Sequence, residues 1–552
     1  MVTITVRKKQ LVALLGNGVK FKDLDELGYR LELAKVVLES HDEKTDGLTL
    51  EITPDRPDLL SAYGVARALK GTLGIEAGSP KTRISDSSGH KIIVEKDAAA
   101  IRPVMVGAVV EGLKFSHDDV ASLFETQEKI NATIGRNRKR VSFGLYDADK
   151  VAFPIRFRTA DAEKTKFVPL KATSPMTLRQ MVETIPKGME YAKLVEGHKN
   201  LPVLQGADGL VLGLIPIINE ATSAVTENTT RLLIENEGTD WHSCNASLAM
   251  FCQDFAEAGA KVTRCEVSYP DGRNVFTPDT KSDGMKVSVS QVNKMLGVQF
   301  SPAHVVACLA KQRIDARVEG DFVHCEIPAY RADFLHPADL VEEVAIGNGY
   351  DNFEPLAPTA FTKGSLAPQT LHEQILRDFF TGAGYLELST YVLTNGEKIR
   401  KAKSGEELVE VLNPVSRDYS AMRGTLLPNL LEVLSQNTHN DYPQRVFEVG
   451  EVVVPNPKLH EKMETRLHAC IVAAHAAASM TEAASAGMEL AKRLGKSFAL
   501  GKFTSPQFIP GRCAEVWIDA KKAGVVGEVH PEVLANFGLQ APCAALEIFA
   551  GE

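Results

Sequence analysis

Residues 328 to 350 read Pro328-Ala329-Tyr330-Arg331-Ala332-Asp333-Phe334-Leu335-His336-Pro337-Ala338-Asp339-Leu340-Val341-Glu342-Glu343-Val344-Ala345-Ile346-Gly347-Asn348-Gly349-Tyr350. Pro337 sits where helices begin, and Asp339 then falls in a first turn, where the helix dipole favours negative charge. Positions 339, 342 and 343 are i, i+3 and i+4, so their carboxylates share one helical face. Leu340, Val341, Val344 and Ala345 make the opposite side apolar. With Asp333 just upstream, four oxygen donors lie close in sequence. Two readings are open: a site for a hard cation such as magnesium, or a solvated acidic face at a helix start.

The pattern Arg331-x-Asp333 followed by Asp339-Leu340-Val341-Glu342-Glu343-Val344 resembles the signature of the phenylalanyl-tRNA synthetase beta subunit. The resemblance implies that Asp333, Asp339, Glu342 and Glu343 hold magnesium, at a site associated with the alpha subunit.

At 552 residues the chain exceeds a single core, and several domains are expected. Hydrophobic residues at 44% and charged residues at 24% are ordinary for globular domains, which excludes a disordered or fibrous chain. The net charge of −9 does not forecast a nucleic-acid binder, so RNA contact requires local basic patches. One such patch is Arg136, Arg138, Lys139 and Arg140. The eight cysteines form no Cys-x-x-Cys and no zinc-finger spacing; they read as packed, reduced thiols. No apolar run approaches the roughly 20 residues of a membrane span, and the N-terminus alternates like a strand rather than a signal peptide. These features lead us to expect a soluble, cytoplasmic protein with no membrane partner.

The expected fold class is α+β and multidomain. Residues 1–80 read as a small α+β unit: Val2, Ile4 and Val6 alternate, Phe21 to Val37 has helical periodicity, and Leu48, Leu50 and Ile52 alternate again. Thr53-Pro54-Asp55-Arg56-Pro57-Asp58 reads as a proline-fixed turn into a helix, and resembles a Thr-Pro-Asn-Arg-Pro-Asp motif of the same family. Gly78 to Lys91 reads as a linker. A mixed α/β region spans 90–268, and a small helix-rich module spans 271–350. Residues 365–552 form a final α+β region, with strands expected at Val446 to Val454, Leu467 to Ala473 and Ala514 to Ile518.

In the middle region, Leu210 to Ile215 is a continuous apolar run, as in a buried strand. It is broken by Pro216 and followed by Ile217-Ile218-Asn219-Glu220. The strand from Leu232 puts Glu235 and Glu237 on one face. Apolar walls that end in a few polar groups suit a small-ligand pocket; the alternative is a strand end with exposed carboxylates. The order of motifs from Ile101 to Asp240 resembles the editing module of archaeal and eukaryotic-type beta subunits. That resemblance implies hydrolysis of mischarged Tyr-tRNA(Phe), with Asn219, Glu220, Glu235 and Glu237 recognising the tyrosine hydroxyl or orienting water. The chemistry explains the need. A hydrophobic pocket rejects an added hydroxyl by only about 10²-fold, so a second, hydrolytic sieve is required. The chain departs from the family pattern at Ile215, where proline is usual, and at Glu237, where threonine is common. The basic patch at 136–140 is chemically fit to meet tRNA phosphates, or is a solvated loop.

Leu412 to Leu431 and Pro443 to Gly450 are similar to the beta subunit's catalytic-like domain, a relative of the class II synthetase fold. Its Gly-x-Gly-x-x-Arg motif is missing; Ile509-Pro510-Gly511-Arg512 is the nearest stretch. No Walker motif, Gly-x-Gly-x-x-Gly or Gly-x-Ser-x-Gly is present. Arg423, Arg445 and Glu448 are expected to form structural ion pairs. The resemblance as a whole implies a beta subunit of phenylalanine–tRNA ligase that joins an alpha subunit (two alpha, two beta) and binds tRNA(Phe). ATP would be bound mainly by the alpha subunit. The alternatives are a free-standing tRNA-editing hydrolase and a non-enzymatic RNA-binding or assembly protein.

Overall fold

The computed structural model describes residues 2–16, 18–81 and 84–550. The chain divides into two compact units, 1–356 and 357–552, and the architecture is mixed α and β throughout.

The first unit begins with an antiparallel sheet in which Gly47–Ile52 lies between Val2–Arg7 and Val36–Asp42. The alternation read at Val2-Ile4-Val6 is real: Ile4 and Val6 are buried and the residues between them face solvent. The helix expected from Phe21 to Val37 is shorter, Leu24–Glu32. Asp23 caps it by accepting from the Glu26 amide, and the chain turns at Lys35, whose φ is 61°, into the strand Val36–Asp42. The proline-rich turn forms a short 3₁₀ segment, Pro57–Leu59, before the helix Ala62–Thr72, which is capped by Ser61. Gly64 is required there, because a Cβ would lie 1.8 Å from the Asp58 carbonyl oxygen.

A ten-stranded sheet follows. Its order runs Ile218–Asn219, Val211–Leu214, Asn200–Gln205, Ile155–Asp161, Ile84–Val94, Lys261–Ser268, Val104–Glu111, Arg231–Gly238, Val141–Asp147, with Asn274–Thr277 paired to Lys261–Ser268. The stretch from Gly78 to Lys91 is therefore not simply a linker. Thr82 and Arg83 lie outside the described residues, but Ile84–Val94 is a strand that pairs in parallel with Lys261–Ser268. Its run of serine, aspartate and glycine hid it. The ladder tolerates that run through a register shift at Cys265/Glu266. One face of the sheet packs with the N-terminal helices and Trp241–Glu257 in a large core; the other face has its own core around Tyr146, Phe157 and Leu233.

The strands Asp283–Ser288, Phe322–Ile327 and Asp315–Glu319 make a small antiparallel sheet covered by Val289–Leu296, Pro302–Lys311 and Pro337–Asn348. The last is the acidic helix. His336 accepts from the Ala338 amide, Asp339 reaches back to the His336 amide, and Pro337 occupies the first turn. Leu340, Val341 and Val344 enter the core of this module.

The second unit holds a seven-stranded sheet in the order Leu386–Glu387, Gln444–Pro455, Met463–Ala474, Cys543–Phe549, Lys521–Val529, Phe508–Ile518, Phe498–Lys502. Every pair is antiparallel except the first. The helices Pro368–Gly382 and Met480–Arg493 contribute to its core. On the former the buried residues are Leu376 and Phe380, while Leu371 and Ile375 are exposed. All eight cysteines are buried and unpaired.

Candidate functional site

Glu235 and Glu237 lie two residues apart on the strand Arg231–Gly238, between Val104–Glu111 and Val141–Asp147. Pleating puts both on the sheet face that carries Leu233 and Tyr146. They are not exposed strand-end carboxylates: their relative exposures are 1% and 0%. The space for them comes from a glycine. Gly144 stands opposite Glu235 in the ladder, and a Cβ there would fall 2.1 Å from Glu235 Oε1.

Tyr146 brings its hydroxyl to this point, 3.3 Å from Glu235 Oε1 and 3.2 Å from Asn219 Oδ1. Asn219 is oriented by donating its Nδ2 to the Leu145 carbonyl at 3.1 Å. One phenol proton cannot serve two acceptors, but a protonated Glu235 donates in its turn to the phenol oxygen. Electrostatics favour that form. Burial, and then the charge of Glu237, push the Glu235 carboxyl well above the usual range. Glu237 is raised to about 7 by burial, opposed by Arg102, whose Nε lies 3.6 Å from Oε1. Arg102 is pinned by donating Nη2 to the carbonyls of Arg138 and Glu237. Burial, followed by Glu235, lifts the Tyr146 phenol well above its ordinary value. The two carboxyls face each other: a side-chain hydrogen bond between them favours the proton on Glu235, and Ser142 adds a hydrogen bond to Glu237. A carboxyl near 7 beside a protonated carboxyl is a pair suited to moving a proton at neutral pH.

Glu220 is separate in role. It is buried, but its Oε2 accepts from the Thr222 amide and hydroxyl and from the Ser223 amide, so it closes a turn. His198 is exposed. Sequence reasoning did not select Tyr146, Arg102 or Gly144 for this site. Gly144 carried the available signal, since an interior strand glycine marks a close approach.

The basic patch divides. Arg136 and Lys139 are exposed. Arg138 is buried: it donates to the carbonyls of Pro216 and Ile217 at 2.9 and 3.0 Å, pairs with Glu128 at 2.8 Å and lies over the Tyr191 ring. It therefore organises the loop and does not face solvent phosphates. Arg140 is half-exposed and pairs with Asp240.

The four acidic positions near the acidic helix do not form one donor set within this chain. Arg331, fully buried, takes Asp333 in a bidentate pair at 2.8 and 2.7 Å and Glu343 at 3.1 Å. Lys35 pairs with Glu343 at 3.0 Å and with the exposed Glu342 at 3.3 Å. Asp339 Oδ2 accepts from the amides of Leu335 and His336, both at 2.7 Å. Burial opposes ionisation of Asp333, but Arg331 outweighs it and holds the carboxyl well below the usual range. Among the described residues no group of three or more His, Cys, Asp or Glu is placed to hold a metal ion. These side chains, as arranged here, do not fit magnesium from this chain alone, because arginine and lysine already compensate the carboxylates.

In the second unit, Arg423 pairs with Glu448 at 2.8 Å, both buried, and Arg445 pairs with Glu482. Arg512 is engaged by Glu528 at 2.7 Å. Among the described residues no helix is long and apolar enough to cross a membrane.

Comparison with known proteins agrees with this architecture. Residues 354–550 match the model of the phenylalanyl tRNA synthetase beta chain CLM domain, and residues 285–350 match the tRNA synthetase B5 domain. The chain is 37% identical to the phenylalanine–tRNA ligase beta subunit of Archaeoglobus fulgidus over 99% of this chain and 98% of that one. It is 35% identical to the Pyrococcus furiosus beta subunit over the same shares. The solved N-terminal fragment of the phenylalanyl-tRNA synthetase beta subunit from Pyrococcus horikoshii superposes with a TM-score of 0.60 at 31% identity, covering 63% of this chain and all of the fragment. The chain belongs to the family of phenylalanine–tRNA ligase beta subunits, within the aminoacyl-tRNA synthetases.

Proposed function

We propose that this chain is the beta subunit of a phenylalanine–tRNA ligase. It works with an alpha subunit that attaches phenylalanine to tRNA(Phe) using ATP, and it hydrolyses mischarged Tyr-tRNA(Phe). The identity to named beta subunits along 99% of the chain carries the first part. The buried Glu235–Glu237 pair beside Tyr146 and Asn219 carries the second. In this reading Glu237 takes a proton from the attacking water, and Glu235, protonated, turns its hydrogen bond from the Tyr146 phenol to the tyrosine hydroxyl or the developing oxyanion. Phenylalanine, lacking the hydroxyl, would leave those buried groups unpaired and be rejected. Arg136 and Lys139 would meet tRNA phosphates.

ATP and its magnesium are assigned to the assembled enzyme, with ATP on the alpha subunit. Magnesium at Asp333, Asp339, Glu342 and Glu343 would require Arg331 and Lys35 to release their carboxylates and partner groups to complete the shell. Two measurements test the function. The chain alone should show no phenylalanine-dependent pyrophosphate exchange, and the chain with its alpha subunit should deacylate Tyr-tRNA(Phe). Exchange by the lone chain would overturn the division of labour. Absence of deacylation in the complex would remove editing and leave assembly and tRNA contact.

A further inference from the structure

A small cavity lies where the helix Ala62–Thr72, the turn after Pro302–Lys311 and the loop before the acidic helix meet. Arg56, Asp58, Arg67, Gln312, Arg313, Tyr330 and Arg331 line it, and it admits a single body of about the size of a water molecule. Each arginine is neutralised on its outer edge. Arg56 is bidentate to Asp58, Arg67 pairs with Asp254 and Glu257, Arg313 pairs with Glu76, and Arg331 holds Asp333 and Glu343. The inner edges of Arg67 and Arg313 are not matched, whereas Arg331 Nη1 donates to the Gln312 carbonyl at 3.4 Å. Arg67 Nη2, Arg313 Nε and Nη1, Gln312 Nε2 and the Tyr330 hydroxyl are all buried with no hydrogen-bond partner. The four residues that bear them are only 3 to 6% exposed.

Two further features hold this geometry in place. Arg313 adopts a left-handed backbone, φ 61°, which a non-glycine residue keeps only when its surroundings enforce it. Gly71 lets the turn approach the helix: a Cβ there would lie 2.1 Å from the Lys311 carbonyl oxygen and 2.9 Å from Arg313 Cδ. Arg67 Cζ lies over the Tyr330 ring, 4.5 Å from its centre.

The chemistry of the unmatched atoms is one-sided. Four are N–H donors and the fifth, the Tyr330 hydroxyl, donates or offers a single acceptor. The one carboxylate among the lining residues, Asp58, already accepts from Arg56 at both oxygens. A water molecule would accept from at most two of these donors and would itself need acceptors for two protons. A monoatomic anion accepts from all of them. We propose that this cavity binds one small inorganic anion of chloride size, which latches the helix Ala62–Thr72 to the module formed by residues 283–348. The ion completes the inner edges of Arg67 and Arg313 and ties together segments some 240 positions apart in sequence.

Thermal unfolding of the full-length chain, followed at fixed ionic strength while sodium chloride or sodium bromide replaces sodium gluconate, tests this. A saturating rise in Tm of about 2–4 °C with either halide is expected. Arg313→Gln should abolish the rise and Tyr330→Phe should shift its midpoint to higher halide concentration. Superimposable curves in halide and gluconate would overturn the proposal in favour of water. If the variants do not fold, crystals of the unaltered chain soaked in bromide decide the matter. An anomalous peak within hydrogen-bonding reach of Arg67 and Arg313 supports the site, and its absence from the cavity refutes it.

Discussion

Glu237 is the residue on which the proposed hydrolysis turns. Its carboxyl is raised from 4.5 to about 7, so between those values the native state holds a proton that the unfolded chain has released. Stability contributed by this group is full below about 4.5 and is lost as pH rises through about 7. Denaturant titrations at a series of pH values should show that decline, and Glu237→Gln should reduce its slope. Tyr146→Phe removes the hydroxyl that serves Asn219 and Glu235 and should cost about 1 kcal/mol in the same assay. That Glu235 and Glu237 share a face was legible from their spacing of two. Their burial was not, because a carboxylate pair at a strand end reads as solvated until the flanking strands are known. Arg138 misled for the converse reason: among three nearby basic residues nothing local marks the one that turns inward to the Pro216 and Ile217 carbonyls.

At the scale of elements, the site depends on one strand lending space to its neighbour. Gly144→Ala should clash with Glu235 and destabilise by about 1–3 kcal/mol, and Glu235→Ala should relieve much of that loss. A double-mutant cycle in urea reads the coupling; strict additivity would mean the two strands do not share the space as described. The acidic helix makes the opposite case. Its start at Pro337 and the inward face of Leu340, Val341 and Val344 were plain in the periodicity. The partners of its carboxylates were not, since Lys35 is some 300 positions away. Arg331→Met should leave Asp333 buried without its bidentate partner and Glu343 with Lys35 alone, and cost about 3–5 kcal/mol by thermal or urea unfolding. Asp339→Asn with Glu342→Gln tests magnesium separately: unchanged assembly and metal dependence would leave these carboxylates with structural roles only.

At the scale of the whole molecule, the α+β character was legible because strands such as Gln444–Pro455 and Met463–Ala474 are long and strongly apolar. The strand Ile84–Val94 was not, because its pairing is supplied by Lys261–Ser268, far along the chain. Leu412 and Val415 in the second unit are exposed at 92% and 106%. Val415→Asp is predicted to weaken association with the alpha subunit by about tenfold or more without changing the unfolding of the isolated chain, as read by sedimentation. The proposed editing runs through the buried carboxylate pair of this subunit. Its most direct test is deacylation of Tyr-tRNA(Phe) by the assembled ligase carrying Glu237→Gln. A loss of about 10²-fold or more in hydrolysis is expected, with phenylalanine attachment intact; hydrolysis at the unaltered rate would show that the pair does not carry the reaction.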